Sequence, residues 1–354
     1  MPFRMIHGNI VDVEADAIVN AANTRLMPGG GVCGAIFEAA GFERLYHACQ
    51  AIGYCEAGQS VATPAFDLKA KYIIHTPGPI WEGGAKGEAV QLASCYTTAM
   101  QCAVEHRCRS IAFPLISAGI FGYPKRAAYQ VAREAIRKFI DKHDILVELV
   151  IFEAGDDITG YGDRNLEMRL EALSRQINHR EDVFPDAAEA GISQKRDVAF
   201  GDESLRRSKA QILEWAKKQG GLEAPRTKAL GKKLEEVIEE KKDSFSAVLM
   251  QMIAQKGVKP ASVYRKANID RRHFSKIKGN LDYVPSKQTA VSFAVALELD
   301  IHKTQALLAS AGYILSESSR FDIIVKFFIE NGVYDIFQIN DALFHYDQPL
   351  LGSF

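Results

Sequence analysis

Several features are missing from this chain of 354 residues, and each absence removes a class of function. No apolar run approaches the roughly 18 residues of a membrane-crossing helix, so no such helix is expected. No apolar stretch with a small-residue cleavage site sits at the N-terminal MPFRMIHGNI, so no secretory leader is expected. No CxxC pair occurs among the six cysteines, which all fall in the first third of the chain. His75 and His106 stand at no recognisable ligand spacing from them, so neither a zinc centre nor any other metal site is expected. A reduced, cytoplasmic protein is the simplest account. Net charge is nearly absent as well: 43 Lys and Arg stand against 44 Asp and Glu. There is therefore no global pull toward nucleic acid or membrane, and any such partner needs a local patch. No low-complexity tract and no internal repeat is visible.

What is present is the composition of an ordinary globular protein, 47% hydrophobic and 25% charged, over a length that suggests two domains. Residues 1–178 alternate apolar strands (3–6, 17–19, 60–63, 72–75, 110–114, 146–152) with helical stretches (34–40, 43–52, 87–106, 125–142, 158–178). That alternation predicts an α/β sheet covered on both faces, with ligands at the carboxyl ends of the strands. Residues 179–207 lose the periodicity and read as a linker. A short helix is expected at 208–218, and a charged, solvated one at 230–242. From 243 to 354 everything reads as short helices: 245–255, 260–267, 270–278, 286–298, 303–311, 319–331 and 334–344. Asp270 fits an N-cap and Gly279 a stop for the third of these.

Two loops carry the functional signal. The apolar run ending at Val19 leads into NAANTRLMPGGGVCGAIFEAAG, residues 20–41. Gly29, Gly30 and Gly31 lack a Cβ, so this backbone can come close to a ligand. The following helix points its N-terminus and free amides at the loop, which makes a seat for a phosphate. A second strand runs into Ser117, Ala118, Gly119, Ile120, Phe121 and Gly122. Oriented amides from both loops would clamp a diphosphate without any Lys or Arg. His75, after an apolar strand, reads more readily as a satisfied buried histidine than as a base. Glu82 and Lys86, in a Gly-rich loop, read as solvated charges or as part of a lid.

NAAN, PGGGVCGAIFEAAG, IIHTPGP and FPLISAGIFGYP, in that order and spacing, resemble the macrodomain family, specifically its MacroD-type ADP-ribosyl hydrolase branch. The resemblance covers residues 1–178. It implies a three-layer sandwich with a mixed central sheet, binding ADP-ribose and using no cofactor. By that resemblance Asn9 and Ile10 hold adenine, and Phe152 packs on the ring. Gly30, Gly31 and Val32 form the first diphosphate loop. Ser117, Gly119, Ile120, Phe121 and Gly122 form the second, and Asn23 lies beside the distal ribose as a catalytic candidate. The zinc-bearing branch's Cys/His insertion is missing. Two departures stand out. Asn9 replaces a usual Asp, so an uncharged carbonyl would accept from the adenine amino group. Cys33 stands where the hydrolase branch commonly has Asp. A thiol near pKa ~8.5 activates water poorly. Three readings of Cys33 follow: binding without turnover, turnover with a substrate phosphate or held water as base, or a thiolate activated by the helix N-terminus.

The C-terminal helices are basic between residues 255 and 283, with eight Lys or Arg against Asp270 and Asp282. Residues 258–267, a turn at 268–269 and DRRHFSKIKGN resemble the helix-turn-helix domains of phage repressors. By that resemblance Arg271, Arg272, Ser275, Lys276 and Lys278 face a groove or its phosphates, while Phe274 and Ile277 pack inward. The competing reading is a bundle whose basic face serves protein contacts or dimerisation. The acidic, aromatic tail reads as a packed extension or a dimer surface. The whole chain thus reads as a hydrolase that removes mono-ADP-ribose from macromolecules or deacetylates O-acetyl-ADP-ribose. Its rivals are a non-catalytic nucleotide sensor coupled to a nucleic-acid- or protein-binding helical domain, and an accessory to an antitoxin.

Overall fold

The structure is a computed structural model, which describes residues 2–152, 159, 166–168, 170–171 and 243–352. Six apolar runs form the strands β1 (Phe3–His7), β2 (Ala17–Ala22), β3 (Val61–Pro64), β4 (Tyr72–Pro77), β5 (Ser110–Pro114) and β6 (Leu146–Ile151). They form one sheet in the order β1-β6-β5-β2-β4-β3. Every pairing is parallel except β3 against β4. Residues alternate between the two faces, as strand geometry requires. In β2, Ala17 and Val19 face one core while Ile18 faces the other. Both faces are covered, which is why these strands read as nearly continuous apolar runs.

Four helices supply the cover: α1 (Val32–Ala40), α2 (Phe42–Ile52), α3 (Glu88–Glu105) and α4 (Lys125–Ile140). The buried side chains of α1 and α2 belong to one core, those of α3 and α4 to the other. So β2 hands the chain to one face and its neighbour β5 hands it to the opposite face. Diverging connections from adjacent parallel strands leave a crevice at the strand ends, where ligands collect in sheets of this kind.

The second stretch is helical throughout: α5 (Phe245–Lys256), α6 (Pro260–Lys266), α7 (Arg271–Gly279), α8 (Lys287–Ala296), α9 (Ile301–Ala309), α10 (Arg320–Glu330) and α11 (Ile336–His345). Ser or Asp side chains cap most of these N-termini. Asp270 is one, accepting from the amides of Arg272 at 2.8 Å and His273 at 2.9 Å. Gly279 is the last residue of α7 rather than the stop beyond it; Asn280 takes that place in an extended conformation. The expected linker at 179–207 and the helices at 208–218 and 230–242 lie outside the described residues. Of the helix expected at 158–178, the described residues 166–168, 170 and 171 are helical, whereas Thr159 is in a bend.

By their contacts the described residues up to Leu170 and those from Asp243 onward form one compact unit. Within that unit the helical stretch is packed directly on the sheet. Asn268, in the turn between α6 and α7 at φ 55°, clamps the edge strand β1. It accepts from the Phe3 amide at 2.7 Å and donates to the Phe3 carbonyl at 2.8 Å. The tail, read from sequence as bundle extension or dimer surface, is spent here. Asp341 of α11 accepts from Tyr129 and Arg133 of α4, and Asp335 pairs with Arg137 at 2.7 Å. Phe344 joins the core of the sheet itself.

Candidate functional site

A cavity of 680 Å³ opens where β2 and β5 end. Every residue expected from sequence to hold a ligand lines it except Gly122, and Cys33 lines it as well. Gly122 instead closes the second loop, donating to Gly119 at 2.9 Å.

The first wall is the loop between β2 and α1. Gly31 is the N-cap of α1 at φ 62°, a conformation that suits glycine, and no side chain caps the helix. Among the described residues the amides of Gly30, Gly31 and Val32 have no hydrogen-bond partner. They sit at the positive end of the helix, facing the cavity. Gly34, one turn into α1, lets the loop lie down: a Cβ there would stand 2.7 Å from the Gly29 carbonyl oxygen.

The second wall runs from Leu115 to Tyr123. Its ends are tied by Ala118 to Leu115 at 3.3 Å and Tyr123 to Ser117 at 3.0 Å. The amides of Gly119, Ile120 and Phe121 remain open among the described residues. Ser117 holds φ 64°, and its hydroxyl is buried against Gly78 without a partner among the described residues. Trp81 braces the loop, its amide donating to the Phe121 carbonyl at 2.9 Å and its ring packing at a 55° tilt against Tyr123. Ile120 is 79% exposed and reaches across to Gly30, where an added Cβ would stand 3.3 Å from its Cδ1. The two loops therefore nearly meet over the cavity.

At one end lie Gly8, Asn9 and Ile10 after β1, and Val150, Ile151 and Phe152 at the end of β6. Phe152 is 75% exposed, an apolar face open to a planar ring. The Asn9 side-chain Oδ1 caps the following turn, accepting from the Val11 amide at 3.3 Å. At the other end is Asn23. Its Oδ1 accepts from Arg25 and Met27, both at 3.1 Å, and its Nδ2 donates to the Met27 carbonyl at 2.7 Å. Asn23 thus shapes the loop that it also lines, with one Nδ2 proton left over.

Beneath the cavity floor a short polar chain crosses the sheet. Asn20 donates through Nδ2 to Cys33 Sγ at 3.6 Å and lies 3.1 Å from His75 Nδ1. Asn20 Nδ2 can only donate, so His75 Nδ1 accepts and the ring proton is assigned to Nε2, which faces Thr63 Oγ1 at 2.9 Å. Burial lowers the His75 pKa to about 4, so the ring stays neutral and structural. Burial also pushes the Cys33 thiol up, against hydrogen bonds from Asn20 and Gly29. The thiolate needed for the activated-nucleophile reading is therefore disfavoured, despite the helix N-terminus beside it.

Sequence reasoning passed over three residues here. Lys125, at the start of α4, lines the cavity and directly follows the second loop's Pro124. Asn20 links Cys33 to His75, a role that no local pattern announces. Glu88 organises the loop read as a lid, accepting from the amides of Glu82 at 3.2 Å, Gly84 at 3.0 Å and Lys86 at 2.7 Å. Glu82 and Lys86 pair with each other and do not line the cavity.

A family model described as Macro domain matches residues 19–132. Macro domain-containing protein CT2219 of Chlorobaculum tepidum is 45% identical over 170 residues, which cover 48% of this chain and 94% of that protein. ADP-ribose glycohydrolase MACROD1 of Bos taurus is 43% identical over 159 residues, 44% of this chain and 49% of its own length. A solved structure of the Oceanobacillus iheyensis macrodomain with ADP shares 34% identity at a TM-score of 0.42, covering 49% of this chain and 91% of that one.

Proposed function

We propose, from the premise that this chain belongs to the macrodomain family, that its N-terminal domain binds ADP-ribose and removes it from modified macromolecules. The carrying observation is the pair of loops with open amides on either side of one cavity. The diphosphate lies between Gly30, Gly31 and Val32 on one side and Gly119, Ile120 and Phe121 on the other, neutralised by oriented amides. Adenine packs on Phe152, its edge toward Asn9 and Ile10. The distal ribose reaches Asn23, which orients it through its remaining proton. A relative named as an ADP-ribose glycohydrolase supports hydrolysis as the reaction. Deacetylation of O-acetyl-ADP-ribose uses the same bound geometry.

Cys33 sets the rate. A buried neutral thiol cannot take a proton from water, so that task falls to a substrate phosphate or to a water held beside Asn23. Lacking a general base typically costs about 10²–10⁴ in rate, so turnover is slow. The domain works in the cytoplasm, where its buried thiols stay reduced. Residues 1–178 act as the macrodomain, 179–242 as a spacer and 243–354 as a helical partner.

The test is release of ADP-ribose from a mono-ADP-ribosylated protein, with calorimetry on the full-length protein alongside. Turnover by wild type that exceeds Asn23→Ala supports the enzyme. Binding without turnover selects a sensor. One observation favours that second reading: Arg271, Arg272, Lys276 and Lys278 are exposed on α7, with Phe274 and Ile277 turned inward. Among the described residues none of the four forms an ion pair, whereas Lys256 and Lys266 share Glu298. A sensor would carry the nucleotide signal to duplex DNA on this face, with Ser275 beside the cations. Salt-independent mobility of duplex DNA in the presence of the full chain would end that reading.

A further inference from the structure

We propose that helix α11 belongs functionally to the nucleotide site: through Phe344 and His7 it positions the turn at residues 8–10 that carries the base end of the cavity. The inference rests on the ADP-ribose reading above. His7 is the last residue of β1, and Gly8, Asn9 and Ile10 after it all line the cavity. The His7 ring stacks on Phe344, centroid to centroid 4.3 Å at 19°. Behind that stack Asp347 places a carboxylate oxygen 4.0 Å from His7 Nε2.

The support is stiff. Phe344 is buried in the core beneath the sheet. Asp347 holds φ 52° and donates its amide to the Phe344 carbonyl at 3.1 Å, fixing the end of the helix. Asp341 and Asp335 anchor α11 to α4 through Tyr129, Arg133 and Arg137. The turn itself is light by comparison. Gly8 has one backbone bond, to Ile151 at 3.0 Å, and nothing lies within 4 Å of where its Cβ would be. Ile10 is buried in the core on the opposite face of the sheet, so the lightly packed part is Gly8 and Asn9. That part must meet a base to a fraction of an ångström and takes its position from His7 beside it. His7 and Phe344 are therefore positioning residues. They touch no ligand and act through Gly8 and Asn9.

The experiment uses the full-length protein, as wild type, His7→Ala and Phe344→Leu. His7 is partly exposed, so its removal leaves the core intact; Phe344→Leu keeps apolar volume and loses the stack. Calorimetric titration with ADP-ribose is read beside hydrogen exchange at residues 8–10, 29–32 and 117–122. An aromatic pair of this kind corresponds to an affinity loss of about two- to tenfold in each variant. Exchange should quicken at residues 8–10 and stay at wild-type rates in both diphosphate loops. Unchanged affinity in His7→Ala, with wild-type binding intact, overturns the inference and leaves the ADP-ribose reading standing. Exchange that quickens equally in all three segments also overturns it, because that reports general loosening. No heat from wild type overturns both.

Discussion

His75 shows how the fold fixes a protonation state. Its ring is wholly buried between Asn20 and Thr63, and its pKa falls to about 4 from an ordinary value near 6.5. Between those values the unfolded chain binds the proton and the folded one does not. The stabilisation is therefore complete above pH ~6.5 and is lost as pH falls toward 4, by on the order of 3 kcal/mol. Thermal melts from pH 7 to 4 should show a declining Tm, and His75→Gln should flatten part of that decline. Cys33 offers the converse test. Cys33→Asp places a carboxylate beside Asn20 at the α1 N-terminus, whose dipole and amides offset part of the cost of burying it. We expect ADP-ribose release to rise by about 10² or more, with ligand affinity little changed. No gain in single-turnover rate would remove Cys33 from the account of slow turnover.

At the scale of elements, α1 and the loop before it form one object. A glycine inside a helix ordinarily costs stability relative to alanine. Gly34 is the reverse case, since a Cβ would press on the Gly29 carbonyl. Gly34→Ala should lower stability by about 1–3 kcal/mol and weaken ADP-ribose binding as the loop is pushed out, read by denaturant titration and calorimetry. On α7, Asp270→Ala removes a cap bonded to two amides and should cost about 1 kcal/mol. The elements themselves were largely legible in the sequence, their ends less so. Strand β2 was expected to stop at Val19 and runs to Ala22, because Asn20 reads as polar yet is buried and bonded to Cys33 and His75. Strand β4 likewise continues past His75 to Pro77. The glycine loops were legible because so few residues accept their geometry. The role of Glu88 was not, because its three amide partners lie in a loop with no periodicity.

At the scale of the molecule, the helical stretch completes the sheet. The clamp between Asn268 and Phe3 spans 265 positions of sequence, and no local pattern reports a contact so distant. The basic face of α7 was legible from charge and spacing; its attachment to β1 through the preceding turn was not. Cutting the chain at residue 178 would bare β1, Phe3 and the core side that Phe337 and Phe344 cover. The truncated protein should melt lower than the full chain and associate with concentration, as light scattering would show. Tyr129→Phe or Arg133→Ala should loosen α11 and, through it, the turn at residues 8–10, leaving the diphosphate loops at wild-type exchange rates.

The same clamp imposes a timetable on biosynthesis. Strand β6 is complete at Ile151, whereas Asn268 leaves the ribosome roughly 120 residues later, on the order of ten seconds at ordinary translation speeds. Throughout that interval the first strand has a bare outer margin while the nascent sheet is otherwise assembled. Each newly made molecule therefore passes through a sticky adolescence, and codon choices that slow the intervening stretch should lower the yield of correctly matured protein.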